Sequence, residues 1–263
     1  MDLGLRDKVA LVTAASKGIG YGTAKALAQE GCKVCICSRT KDIEKAAESI
    51  KKETGSKNIL ALQADLTIEA EIEKLIASIK NEYGDVQILA YNTGSPKVAS
   101  FLDLSNEDWE QGFKLLLMSA VWLTKRVIGP MRNAKWGRVV FITSTTLKQP
   151  IRNLVLSNVI RLSIAGLSKD LSNEFGSNGI TSNLILQGSI LTDRQIAITK
   201  DYATRAGLSY ERAQEARLAD IPARRFGTTE DIGNVVAFLC SKQASYVNGA
   251  ALLVDGGLIK SVF

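Results

Sequence analysis

The sequence predicts one α/β domain built on a doubly wound, parallel, seven-stranded sheet with helices on both faces. Two observations carry that expectation. Short apolar runs alternate along the chain with amphipathic segments, and the runs are near-continuous in Val, Ile and Leu, as strands buried on both faces must be. No linker, internal repeat or low-complexity stretch divides the 263 residues, so the domain is expected to span 1–263.

Strand-like runs fall at 9–13, 33–37, 59–63, 86–90, 138–142, 181–186 and 250–254. Between them lie segments of helical period at 19–30, 42–52, 69–82, 109–131, 154–175 and 230–240. A charged helical stretch at 200–217 interrupts the alternation before the last strand. It predicts a lid-like insertion over the cleft, spanning about 192–220.

Composition narrows the chemistry. Hydrophobic residues make up 46% and charged residues 23%, the balance of an ordinary soluble domain. No apolar run approaches the roughly 18 residues needed to span a bilayer, so no membrane partner is expected. The first residues carry no apolar signal core, and a cytoplasmic location is expected. The chain has no histidine, which removes imidazole acid–base chemistry, Ser-His-Asp triads and histidine metal sites together. Its four cysteines, Cys32, Cys35, Cys37 and Cys240, read as small buried thiols rather than as a metal or redox pair. The net charge of +6 is spread along the chain without an aromatic-interleaved basic cluster, which argues against nucleic acid. It suits an anionic cofactor or acyl carrier.

The first strand runs into Thr13-Ala14-Ala15-Ser16-Lys17-Gly18-Ile19-Gly20. A glycine-rich turn between a strand and a helix presents backbone N–H groups to a pyrophosphate. Thr13, Ser16, Lys17, Gly18, Ile19 and Gly20 are therefore candidate nucleotide contacts. Ala14 stands at an early turn position. If its φ is positive, alanine costs about 1 kcal/mol or more there; if negative, it only tightens the turn. The second strand ends in Ser38-Arg39-Thr40, without the carboxylate that favours NAD. Arg39 can pair with a 2′-phosphate, so NADP is expected in preference to NAD.

These residues, with Asp65-Leu66, Asn92-Thr93-Gly94, Ser144, Gly188 and the closing Val254-Asp255-Gly256-Gly257, resemble the short-chain dehydrogenase/reductase family from end to end. The resemblance implies a Rossmann-type fold and assigns roles by position. The turn matches Thr-Gly-x-x-x-Gly-Ile-Gly with Ala14 for the first glycine. Lys17 matches a second NADP-favouring basic position. Asp65 and Leu66 would meet adenine, and Asn92 and Gly94 would stand for Asn-Asn-Ala-Gly, with Tyr91 in place of the first Asn. Gly188 would stand for the glycine of a Pro-Gly pair, with Ile190 and Thr192 at the nicotinamide carboxamide and pyrophosphate.

The family's catalytic set is Ser, Tyr, Lys and Asn. Here Ser144 holds the serine position, Ser157 that of the tyrosine, Arg161 that of the lysine and Leu116 that of the asparagine. A serine hydroxyl is a far weaker acid than a phenol of pKa about 10. Arginine stays charged and shuttles no proton, yet it can bind ribose and steady an oxyanion. The pattern resembles a divergent, 3-oxoacyl-[acyl-carrier-protein] reductase-like branch. It implies an NADP-dependent oxidoreductase acting on a small carbonyl or acyl-thioester substrate, with a non-catalytic nucleotide-binding scaffold or sensor as the alternative. It also implies a homotetramer. The segment Leu115, Leu117, Met118, Val121, Trp122 and the segment Leu162, Ile164, Leu167 supply the apolar faces for twofold interfaces.

Overall fold

The computed structural model describes residues 2–262. Its seven strands are β1 (Val9–Thr13), β2 (Lys33–Ser38), β3 (Ile59–Gln63), β4 (Ile88–Tyr91), β5 (Gly137–Ile142), β6 (Ile180–Gln187) and β7 (Ala251–Val254). They form one all-parallel sheet in the order β3-β2-β1-β4-β5-β6-β7. The order reverses between β1 and β4, where Leu11 pairs with Cys35 on one side and Leu89 on the other. Such a reversal opens a crevice at the carboxyl ends of the strands.

The helices are α1 (Gly18–Gln29), α2 (Asp42–Thr54), α3 (Glu69–Tyr83), α4 (Asn106–Phe113), α5 (Ser119–Asn133), α6 (Val155–Phe175), α7 (Asp193–Ala206), α8 (Tyr210–Ala219) and α9 (Thr229–Cys240). Alternate strand residues feed two cores. Ala10, Val12, Val34, Ile36 and Val140 pack under α1, α2 and α9. Leu11, Cys35, Leu89, Val139 and Phe141 pack under α3, α5 and α6. All four thiols are buried and free. Burial pushes those of Cys32 and Cys37 up to about 12, and raises those of Cys35 and Cys240 as well.

Two predicted elements are divided. The helix expected over 109–131 starts earlier, because Ser105 and Asp108 form a reciprocal capping box ahead of Asn106. It is then broken by a π-helical turn, Lys114–Met118. Tyr91 explains the break locally: its hydroxyl reaches Leu115 O and Leu116 O, each at 3.1 Å, and Ser119 Oγ at 2.6 Å. The charged stretch expected at 200–217 is two helices, α7 and α8, parted at Gly207, whose φ is +63°.

One assignment to the subunit interface is corrected. Ile164 is 1% exposed and belongs to the core beneath α6, so it is not surface available to a second subunit. Its neighbour Leu162 is 52% exposed, and β7 leaves Ala251, Leu252 and Leu253 open along the sheet edge. No described helix is long and apolar enough to cross a membrane.

Candidate active site

A cleft of about 1470 Å³ lies over the carboxyl ends of the strands. At one end the turn after β1 enters α1. Gly18 has φ +61°, and a Cβ on Gly20 would stand 2.4 Å from Ala14 O, so both positions need glycine. Ala14 itself has φ +49°, the costly one of its two alternatives. Asn92 steadies it by donating from Nδ2 to Ala14 O at 3.5 Å. No side chain caps the first turn of α1 and no acidic residue lies in it, so its N–H groups stay available to an anion. Ser16, Lys17, Gly18 and Ile19 line the cleft here.

Thr13 and Gly20 do not. Thr13 is fully buried; its hydroxyl donates to Asn92 O at 2.6 Å and accepts from Asn92 N at 2.8 Å. These two hydrogen bonds tie β1 to the residue after β4 and leave Thr13 a structural part of the crevice floor.

Ser38 ends β2 and Arg39 follows it on the same wall. Arg39 has no carboxylate within ion-pair distance among the described residues, so its guanidinium is available to a phosphate. Lys17 is paired with Asp193, Nζ to Oδ2 at 3.1 Å, with both side chains largely exposed. An incoming phosphate would compete with that aspartate. Asp65 and Leu66 line the cleft after β3, with Asp65 Oδ1 accepting from Thr67. Asn92 and Gly94 follow β4, and Gly188, Ile190 and Thr192 follow β6. Ile190 bridges to Gly227, and Thr192 caps α7 by accepting from Gln195 N.

At the other end stand Ser144, Ser157 and Arg161. Ser144 lies two residues beyond β5, and its Oγ accepts from Thr146 N at 3.2 Å. Ser157 and Arg161 lie one turn apart on α6, so they share a face. Ser157 Oγ is 3.4 Å from Thr146 Oγ1, and Arg161 Nη2 donates to Thr93 Oγ1 at 3.4 Å. Thr146 and Thr93 thus tie the serines and the arginine into the strand ends, a role that no local pattern in the sequence signals. Arg161 has no carboxylate partner among the described residues. Desolvation lowers its pKa; Tyr91 opposes that shift and Arg194 adds to it. It remains a cation.

Leu116 is 1% exposed and packs with Leu156 and Ile160 in a small apolar cluster, so it offers the cleft no polar group. Tyr91 does not line the cleft. It is 1% exposed, and burial raises its pKa despite Ser119 and Arg161. The cleft therefore offers two serine hydroxyls and one fixed cation around a reacting carbonyl, without a phenol beside them. They can polarise a carbonyl and stabilise developing negative charge.

Comparison with known proteins agrees with this fold. The sequence model of the family described as Enoyl-(Acyl carrier protein) reductase matches residues 13–259. The 3-oxoacyl-[acyl-carrier-protein] reductase of Escherichia coli is 34% identical over 95% of this chain and 97% of its own. The L-sorbose reductase of Gluconobacter frateurii, solved with NADPH and L-sorbose, superposes with TM-score 0.94 at 29% identity over the whole of both chains. An actinorhodin polyketide ketoreductase variant solved with NADPH gives TM-score 0.91 at 30% identity, over 97% of this chain and 98% of its own.

Proposed function

The chain belongs to the short-chain dehydrogenase/reductase family of oxidoreductases, and from that footing we propose that it is an NADP(H)-dependent reductase of carbonyl substrates, 3-oxoacyl thioesters foremost. The observation that carries the reading is the composition of one cleft. It joins an uncapped helix N-terminus, an unpaired Arg39 and the group Ser144, Ser157 and Arg161. The first two suit a dinucleotide with a 2′-phosphate, as the NADPH complexes of the sorbose reductase and the ketoreductase support.

When bound, NADPH supplies the hydride. The chain's residues do the rest. Ser144 and Ser157 present hydroxyls to the carbonyl oxygen. Arg161 would hold the ribose hydroxyls and steady the developing oxyanion. The alkoxide takes its proton from water, since Ser157 is too weak an acid to donate outright and Leu116 closes the relay. The subunits work as a homotetramer.

A second reading is supported by the resemblance, which places Ser157 and Arg161 at the family's tyrosine and lysine positions, and both line the cleft. In it the chain binds the nucleotide as a scaffold or sensor. NADPH consumption against a panel of 3-oxoacyl thioesters and small ketones separates the two. Turnover supports the reductase; tight NADPH binding with no turnover on any substrate supports the scaffold.

A further inference from the structure

The cleft is lined by eight basic side chains against four aspartates, with no glutamate. Three of the basic groups are neutralised locally: Lys17 by Asp193, Lys97 by Asp108 and Arg205 by Asp201. Arg39 and Arg161 have work with the dinucleotide. Arg152, Arg194 and Arg217 are left; Arg152 is exposed in the loop ahead of α6, and the other two stand on α7 and α8. Neither has a carboxylate within 4 Å among the described residues, although Asp220 lies near enough for Arg217 to feel its charge.

Both belong to the lid. Arg194 is in the first turn of α7 and Arg217 in the last turns of α8, and the two helices pack on each other. Arg194 lines the same cleft as Arg161, which feels its charge. Each is partly desolvated. The lid also holds two buried donors without an acceptor, Arg217 Nε and Gln195 Nε2, and Gln195 is 6% exposed and lines the cleft. Desolvated cations and idle N–H groups destabilise a site until an anion meets them.

We propose that the carbonyl substrate carries an anionic group of its own, a carboxylate or a phosphate, received by Arg194 and Arg217 under the lid. This rests on reading the cleft as a reductase site. A site built to hydrogen-bond a charged group discriminates strongly against an analogue lacking it, because its own polar groups are then left unpaired. The arginine fork suits both carboxylate and phosphate oxygens.

Two matched pairs test it: 4-oxopentanoate against its methyl ester, and 3-oxobutanoyl-coenzyme A against the uncharged 3-oxobutanoyl-N-acetylcysteamine. At least one anionic member is expected to exceed its partner by tenfold or more in kcat/KM. The pair that shows the preference tells carboxylate from phosphate. Arg194→Met and Arg217→Met should each cut the preference severalfold, and together bring it near parity. Equal turnover within both pairs would overturn the proposal and leave the reductase reading standing. If no substrate turns over, calorimetry of 4-oxopentanoate and 3-oxobutanoyl-coenzyme A, with and without saturating NADP, decides. Arginine-dependent binding supports the anion site while the reductase reading fails; absent binding overturns the site. An equal loss of NADPH affinity in the two variants would assign these arginines to the dinucleotide and overturn the proposal too.

Discussion

The hydroxyl of Tyr91 donates to the carbonyl of Leu116 at 3.1 Å. Tyr91 is the last residue of β4, and Leu116 lies in the π-helical turn between α4 and α5. Here a phenol serves the backbone of a π-helical turn, and a leucine seals the space beneath it with Leu156 and Ile160. Tyr91→Phe should destabilise the protein by about 1–3 kcal/mol, since it strips a buried partner from Ser119 and two carbonyls. Urea unfolding measures this; a change below about 0.5 kcal/mol would mean that the turn holds without the hydroxyl.

Ala14 and Gly20 predict opposite responses to a single methyl group. Ala14→Gly removes a Cβ from a residue at φ +49° and should stabilise the fold by up to about 1 kcal/mol. Gly20→Ala puts a methyl 2.4 Å from Ala14 O, so the turn must move and NADPH affinity should fall. Thermal unfolding and calorimetry read the pair. A destabilised Ala14→Gly would show that the methyl contributes packing that outweighs its strain.

Arg39→Asp should weaken NADPH far more than NADH, by about 1–3 kcal/mol for the loss of a charge-assisted pair. Titration with each cofactor gives the comparison. Equal losses would remove Arg39 from the 2′-phosphate.

Arg161→Ala should lower cofactor affinity and turnover together. Loss of one such electrostatic contact costs about 10²–10³ in rate. Calorimetry for the nucleotide and initial rates on the best substrate provide the two readings. If neither changes, Arg161 is a structural charge on α6.

Light scattering at micromolar concentration should report a tetramer. Val159 and Leu162 on α6, and Phe238, Leu252 and Leu253 around the β7 edge, are exposed in the single subunit and supply the apolar surface. A monomer at that concentration would remove the assembly.

The sheet was legible because parallel strands are buried on both faces. The expected runs at 9–13 and 59–63 coincide with β1 and β3, and the others shift by a residue or two at their ends. Ser157 and Arg161 could be paired from sequence because a helix repeats near four residues. The break inside 109–131 could not be read. Its apolar period runs on through Lys114–Met118, and the hydroxyl that bonds the π-helical carbonyls comes from a residue 24 positions away. The sign of φ at Ala14 was equally hidden, because it depends on how the turn closes against Asn92. Ile164 looked like interface because periodicity marks an apolar face without saying which partner covers it. Arg194 and Arg217 carried no signal at all, since a charge on a polar helix reads as solvated until the helix is placed over a cleft.

The four buried thiols have a practical corollary. Alkylating reagents attack thiolate, and each cysteine is shielded from solvent and held protonated by its surroundings. Native protein is therefore slow to label, and each opening of the structure admits reagent. Cys35 and Cys37 report on β2, one strand in from the β3 edge of the sheet, while Cys240 reports on the end of α9. Counting added mass with time would map which part of the molecule opens first, with no probe introduced into the chain.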